Sequence, residues 1–321
     1  MNILVTGASG FIGSHITKRL YQDKSNNLTL VDNFSRGKKS YLKYLGVNQE
    51  CINADLMNPS EALRVTKDMD MVFHFAARIG GEQFVHGSVK NEMNTLYNNF
   101  TMDSNIFRAC IENKVKKILF PSSVSVYSTR MQKRQNCIFK ESDFYKDIDP
   151  EGGYGWAKYL AETQLQWMKK IGIQHGVARI FKTYGPCDDY SEKSGQVVCS
   201  LFRKAILDNE LVIWGTGESA RCFCYIDDIV DAFIRLSKYN GSLAVNIGTT
   251  VPTKIRELAQ LIIKTTGRNI PLKLDITKGK ESPLSRIPDL TLAKEKLGWV
   301  PTTSLEDGLK KVYEWMQHEL L

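Results

Sequence analysis

The chain has 321 residues, 42% of them hydrophobic, and carries a formal net charge of +8. That is enough apolar material for a sizeable core, in one large domain or two intimate ones. No apolar run reaches the ~18 residues of a membrane helix, and the basic residues are spread along the chain, which argues against a membrane span and against nucleic-acid binding.

In chain order, Asn2-Ile3-Leu4-Val5-Thr6 reads as a short buried strand, Gly7 to Gly13 as a glycine-rich turn, and Ser14 to Asp23 as a helix. Leu28 to Val31 is a second strand that ends at Asp32. Cys51 to Asn53 is a third and Met71 to Phe75 a fourth. A long helix follows, with Leu96, Phe100, Phe107, Cys110 and Ile111 on one side. Lys117 to Phe120 is a fifth strand and Gly176 to Ile180 a sixth. Between them Thr129 to Gly153 is polar and irregular, a length of loop that is usually functional or mobile. Beyond Gly185-Pro186 the rhythm breaks. Leu211 to Trp214 and Leu243 to Asn246 are strand-like, and Ile255, Leu258, Ala259 and Ile262 mark an amphipathic helix. Asp289 and Gly298 bracket a short helix. A Thr303-x-x-Glu306 capping box opens the last one, with Leu305, Leu309, Val312 and Met316 inward.

Strands alternating with helices predict an α/β fold, a Rossmann-type doubly wound parallel sheet with helices on both faces. In such sheets the ligand crevice lies outside the carboxyl ends of the strands. Residues 1–180 form the expected dinucleotide-binding domain, with 223–250 packing back on it. Residues 181–222 and 251–321 form a smaller mixed α/β domain over the crevice. Seven cysteines, at 51, 110, 137, 187, 199, 222 and 224, and five dispersed histidines show neither a disulfide framework nor metal-ligand spacing. No metal is expected, and a reducing cytoplasm is the simple reading. Met1 opens the first strand directly, so no signal peptide is expected ahead of it. The positive balance suits an acidic ligand such as a dinucleotide or a sugar diphosphate.

Two motifs carry the chemistry. Strand, Gly7-Ala8-Ser9-Gly10-Phe11-Ile12-Gly13 and helix follow one another directly, with GxxGxxG spacing. The glycines let the backbone turn sharply beside a pyrophosphate, and the helix start offers it N–H groups and partial positive charge. Asp32, nineteen residues after Gly13, is placed to accept hydrogen bonds from both hydroxyls of an adenine ribose. It would repel a 2′-phosphate, which favours NAD over NADP, while the nearby Arg36 works the other way. The second motif is Tyr154-Gly155-Trp156-Ala157-Lys158 at the head of a helix. Residues four apart share a helix face, so the Lys158 ammonium is expected near the Tyr154 hydroxyl. A free tyrosine titrates near ~10. An adjacent cation favours the phenolate and lowers that value, giving a group that takes or returns a proton near neutral pH. Phe120-Pro121-Ser122-Ser123-Val124-Ser125-Val126-Tyr127 ends the fifth strand where the crevice opens, and a serine there can bond both a substrate oxygen and Tyr154.

With these motifs stand Asp32-Asn33-Phe34-Ser35-Arg36-Gly37, Arg179-Ile180-Phe181-Lys182-Thr183-Tyr184-Gly185-Pro186, Trp214-Gly215-Thr216-Gly217, Tyr225-Ile226-Asp227-Asp228, Asn246-Ile247-Gly248 and Leu297-Gly298-Trp299. On all of them the chain resembles the extended short-chain dehydrogenases, the nucleotide-sugar epimerase and dehydratase group, over nearly its whole length. The resemblance implies NAD as cofactor and a GDP- or UDP-linked sugar as substrate. It implies a homodimer paired through the long helix and the Tyr154 helix, where Leu96, Phe100, Trp156 and Trp167 supply apolar surface. Tyr154 would be the acid/base, Lys158 would also hold the nicotinamide ribose, and Ser123 would complete the triad. Gly7, Gly10, Phe11, Ile12, Gly13, Asp32, Asn33, Ser35, Asp55, Leu56, Ala76 and Ala77 would lie along the cofactor, with Asp55 at the adenine. Ser125, Lys182, Arg221 and Arg286 would lie along the sugar nucleotide, the arginines at its phosphates.

The shared first step in this group is oxidation at the sugar C4. Its dehydratases carry an Asp-Glu pair directly after the triad residue, where this chain has Val124 and Ser125, so dehydration is disfavoured. Members that epimerise at C3 or C5 use a cysteine where Ser125 stands and a lysine or histidine near Gln196. Serine and glutamine do not deprotonate a carbon acid, which leaves chemistry at C4. The Asp32–Gly37 segment looks like that of 4-epimerases. A net C4 dehydrogenase or 4-keto reductase is the alternative. Lys182 stands where the group usually has asparagine; neutralising the diphosphate and altering how the sugar turns are both open to it. A non-catalytic NAD-sensing regulator on the same fold is disfavoured, because Tyr154 and Lys158 are both present. Supply of surface-polysaccharide precursors is the implied setting.

Overall fold

The strand Asn2–Thr6 feeds two cores at once. Ile3 and Val5 join a cluster with Ile16, Leu30, Phe73 and Phe233, whereas Leu4 joins one with Val31, Val72, Ile106, Phe107 and Leu165. Neighbouring strand residues point to opposite faces, so a strand apolar at every position is one covered on both sides. The computed structural model describes residues 1–81, 87–134, 137–191, 194–278 and 286–321.

Around this strand lies a seven-stranded parallel sheet. Its order is Leu243–Ile247, Gln174–Ile180, Lys117–Ser123, Met71–His74, Asn2–Thr6, Asn27–Asp32, Cys51–Asn53. The chain winds one way from the first strand to the second and third, and the other way to the fourth and beyond. The point of reversal, where the strand ends part, is where such sheets bind ligands. Leu243–Ile247 pairs with Gln174–Ile180, so this late segment is part of the large sheet.

Several local expectations are met and several move. Leu258, Ala259 and Ile262 are fully buried on the helix Ile255–Thr266, as are Leu309, Val312 and Met316 on Leu305–Leu320. The cap of that last helix is Ser304, whose hydroxyl accepts from the Asp307 amide at 3.1 Å; the expected Thr303 instead donates its amide to the buried Asp228 carboxylate at 3.0 Å. The first helix runs Phe11–Tyr21 and takes Gly13 into its first turn. On the long helix Val89–Glu112 the buried stripe includes Met102, Asp103, Ile106, Phe107 and Cys110, while Phe100 and Ile111 face outward. The segment from Thr129 to Gly153 is not irregular throughout: Cys137–Phe139 is a strand, paired in parallel with Arg286–Pro288.

A buried ion pair braces this region. Arg179, on the strand Gln174–Ile180, holds Glu162 through Nη2 at 2.8 Å and Nε at 3.0 Å, and both side chains are at most 2% exposed. The guanidinium also donates to the Tyr127 hydroxyl at 3.1 Å and stacks 4.2 Å from the Phe144 ring centre. Glu162 lies on the helix Gly152–Lys170, the one that carries Tyr154 and Lys158. Removing one partner of such a pair strands the other charge away from water. Glu162→Ala is expected to destabilise the protein by about 3–5 kcal/mol in urea denaturation; a loss below about 1 kcal/mol, the scale of an exposed pair, would contradict the bracing role.

Candidate active site

Every side chain nominated from the sequence lines one cleft of about 990 Å³ at the carboxyl edge of the sheet, from Gly7 through Asp32, Ser123 and Tyr154 to Arg286. A second hollow, of about 890 Å³, lies at the opposite edge among Lys114, Lys116, Lys117 and Lys238 and touches none of them.

At one end of the cleft the first strand turns into its helix. Gly7 has a φ of +64°, and a Cβ there would lie 2.6 Å from the Ala76 amide nitrogen. A Cβ on Gly13 would lie 2.0 Å from the Gly7 carbonyl oxygen. Only glycine fits either position. The helix starts at Gly10 with no side-chain cap and no acidic residue in its first turn. Its unpaired N–H groups and positive end are therefore free to meet an anion. The Asp32 carboxylate is held by the amides of Ser9 at 2.9 Å and Phe34 at 2.8 Å. Burial pushes its pKa up and these bonds oppose the rise. A carboxylate offers about four lone-pair positions, so capacity remains for a ribose hydroxyl. Arg36 is ion-paired with Asp189, which engages the charge that would otherwise attract a 2′-phosphate. Nearby, Asn33 accepts from the Ser35 amide and Asp55 from the Met57 amide, both at 3.0 Å. A glycine cradle, an uncapped helix end and an oriented carboxylate together fit a dinucleotide.

Further along, Lys117–Ser123 stays paired with Gln174–Ile180 as far as Ser123 opposite Ile180, whereas its pairing with Met71–His74 ends at Leu119. The released edge carries Ser123 into the cleft. The Ser123 hydroxyl accepts from the Ser125 amide at 3.2 Å and is hydrogen-bonded to the Tyr154 phenol. Lys158 is 1% exposed; its ammonium sits 4.2 Å from the Phe120 ring centre and 5.8 Å from that of Tyr154. Beneath them Asp103 accepts from or pairs with His74 at 3.0 Å, and His74 meets the Thr6 hydroxyl at 2.7 Å.

The electrostatics correct one expectation. Burial pushes the Tyr154 phenol well above its ordinary value, the Asp103 charge adds to the rise, and the Ser123 hydrogen bond pulls only part of the way back. Burial likewise pulls the Lys158 ammonium down, against the charges of Asp103 and Glu162. The lysine stands over the Phe120 ring, and within the protein alone desolvation dominates the state of the phenol.

At the other end of the cleft, Lys182 donates to the Gln196 carbonyl oxygen at 2.8 Å, and Arg221 donates to the Ala220 carbonyl at 2.7 Å. Arg286 is gripped by both carboxylate oxygens of Glu151, at 2.7 and 2.9 Å, and Ser125 donates to Glu151 at 3.1 Å. Sequence reasoning missed Glu151. It stands just ahead of the Tyr154 helix, but its arginine is 135 residues away. It also missed Asp188, which lines the same cleft and whose carboxyl burial pushes up to about 7. Among the described residues no group of three or more His, Cys, Asp or Glu side chains could hold a metal ion, and no helix is long and apolar enough to cross a membrane.

Known proteins resemble this arrangement in sequence and in fold. GDP-mannose 3,5-epimerase 1 of Oryza sativa is 33% identical over 325 aligned residues, which cover 100% of this chain and 82% of that protein. The UDP-glucose 4-epimerase of Thermotoga maritima, solved with UDP-glucose, superposes with a TM-score of 0.87 at 30% identity, covering 100% of both chains. The UDP-glucuronic acid 4-epimerase of Bacillus cereus, solved with UDP-glucuronic acid and NAD, gives 0.85 at 26% identity, over 99% of this chain and 100% of that one. The family model of the NAD dependent epimerase/dehydratase family matches residues 3–248. The chain therefore belongs to the NAD-dependent epimerase/dehydratase family, a family of Rossmann-fold enzymes whose cofactor is NAD.

Proposed function

We propose that the protein is a nucleotide-sugar 4-epimerase that oxidises its substrate at C4 and reduces it again on the other face. The observation that carries this reading is the meeting of Ser123, Tyr154 and Lys158 in the same cleft as the glycine cradle. The names of the two superposed enzymes, both 4-epimerases of UDP-sugars, support it. When bound, NAD supplies the hydride acceptor and donor. Gly7, Gly10, Phe11, Ile12 and Gly13 would receive its pyrophosphate. Asp32, Asn33 and Ser35 would take the adenine ribose, Asp55 and Leu56 the adenine, and Ala76 and Ala77 would border the nicotinamide half. Tyr154 takes the C4 hydroxyl proton and later returns it, while Ser123 holds that oxygen. Lys158 would hold the nicotinamide ribose and would balance the phenolate charge. Ser125 borders the sugar; Lys182, Arg221 and Arg286 face the diphosphate of a GDP- or UDP-linked hexose.

In this reading residues 1–180 with 223–250 serve the dinucleotide, and 181–222 with 251–321 serve the sugar nucleotide. Exposed Phe100 and Trp167, with Trp156 at the margin, support a homodimer through their two helices. Seven free thiols, six of them buried, suit a reducing cytoplasm, where precursors of surface polysaccharide would be made.

Incubating the NAD-loaded protein with UDP-glucose, UDP-glucuronic acid and GDP-mannose should yield a C4 epimer of one of them without accumulation of reduced nicotinamide. A stoichiometric rise of reduced nicotinamide with no epimer would make the enzyme a net dehydrogenase. Tyr154→Phe should lower kcat by about 10²–10⁴-fold; near-normal turnover would remove Tyr154 from the mechanism. Gly13→Ala should weaken NAD binding at least tenfold in calorimetry, roughly 1.4 kcal/mol or more, and an unchanged affinity would contradict the cradle.

A further inference from the structure

Asp188 is a carboxyl of the cleft that the C4 chemistry leaves without a task. It is 5% exposed, and it lines the cleft between Cys187 and Asp189, which line it too. One of its oxygens, Oδ1, accepts from the Asp189 amide at 2.8 Å. The other, Oδ2, is buried and has no hydrogen-bond partner among the described residues. An ionised oxygen left without a donor away from water is costly, and a carboxyl so placed escapes the cost by keeping its proton.

The charges around it bear this out. Asp189 adjoins it as a second carboxylate, held by Arg36, by the Ser191 amide at 2.9 Å and by the Ser194 hydroxyl at 2.6 Å. Lys182 faces it from the strand Lys182–Tyr184 with its ammonium on Gln196, and Arg36 faces it from the loop beyond Asn27–Asp32. Tyr41, Cys187 and Cys199 are also near; burial pushes all three up, so they carry no charge at neutral pH. Lys18, Lys38 and Glu319 act on the adjoining Cys187. Against the two near cations, burial still holds the Asp188 carboxyl up at about 7.

The turn that carries Asp188 is pinned to the first helix, Phe11–Tyr21. His15 Nε2 meets the Pro186 carbonyl oxygen at 3.0 Å, and a Cβ on Gly185 would lie 3.3 Å from the Phe11 ring. Phe11 opens that helix, at the uncapped end where a pyrophosphate would sit. Asp188 therefore enters the cleft at its anion end. A carboxylate there repels the ligand, whereas a carboxylic acid donates to it.

We propose that Asp188 is a proton-carrying contact for the cofactor: its carboxylic acid donates the Oδ2 hydrogen to a pyrophosphate oxygen of NAD, so that NAD and a proton bind together. The proposal rests on NAD as cofactor and is independent of the C4 reading. No bond between heavy atoms changes; where Asp188 has lost its proton, one is drawn from solvent as NAD binds. The pyrophosphate charge and the new hydrogen bond both favour the neutral acid, so the group titrates higher in the complex than in the protein alone. Affinity is then full at acid pH and falls as pH rises through the value in the protein alone, by up to about tenfold per unit.

The test is calorimetry of the full chain in buffers of different ionisation enthalpy, which counts the protons taken up per ligand bound. NAD is one ligand. ADP-ribose carries the same pyrophosphate without the nicotinamide charge, and UDP-glucose carries the diphosphate of a sugar nucleotide. Native protein should take up protons with NAD and with ADP-ribose at about pH 8, and Kd for both should rise about tenfold from about pH 6 to about pH 8. Asp188→Asn keeps a donor but has no proton to gain. It should lose the uptake and the pH dependence, and at about pH 6 it should bind about tenfold more tightly than Asp188→Ala. No uptake by native protein, a result that needs no variant, would overturn the proposal. Uptake that persists in Asp188→Asn would also overturn it, by handing the proton to another group such as His15. So would tighter binding by Asp188→Asn than by native protein at about pH 6, the mark of an ionised Asp188. Uptake with UDP-glucose alone would overturn the assignment to the cofactor.

Discussion

The constraint on which this site turns is the burial of one phenol. In the proposed reaction Tyr154 must carry a negative charge, yet the fold takes it out of water and sets the Asp103 charge within reach, and both raise the cost of ionising it. The protein returns only part of that cost, through the Ser123 hydroxyl. One positive charge about 5 Å away, at an effective dielectric near 20, is worth roughly 3 kcal/mol, or about two pKa units. When bound, the oxidised nicotinamide of NAD would supply a positive charge to this cleft. The base would then be switched on by the cofactor it serves, and would stay protonated without it.

The rest of the fold keeps these groups in register. The two ends of the cleft are built on one sheet: the glycine turn leaves the strand Asn2–Thr6, and Ser123 leaves a strand two places along. The helix with Tyr154 and Lys158 is tied to the sheet by Glu162, which is bonded to Arg179 and Ser122 in full burial. A rigid mount matters because proton transfer needs heavy atoms within about 3 Å of one another. The other end of the cleft is built differently. Its cations are paired within the cleft itself, Arg286 with Glu151 and Lys182 with Gln196.

What could be read from the sequence follows the range of the physics involved. The alternation of strands and helices, the glycine turn and the tyrosine and lysine four apart are local patterns, and they place the sheet and its cleft. Errors arise where a distant partner decides. The strand Cys137–Phe139 has three residues and pairs with a segment almost 150 residues on, so nothing local marks it. Glu151 looks like an ordinary helix-start acid until the fold brings Arg286 to it. Thr303 and Ser304 are equally good caps by type; the buried Asp228 carboxylate claims Thr303 and leaves the cap to its neighbour. The cost of ionising Tyr154 is not legible in the sequence, because a sequence shows which charges are near and not how much water has been removed.

The central claim is that burial holds the Tyr154 phenol protonated until the cofactor's positive charge arrives. Ultraviolet difference titration, with Tyr154→Phe protein as the blank, reads that one phenol. The account predicts a pKa well above that of free tyrosine in the protein alone, a clear fall when NAD is bound, and a smaller fall with the uncharged reduced nicotinamide. The same pKa in all three states would contradict it.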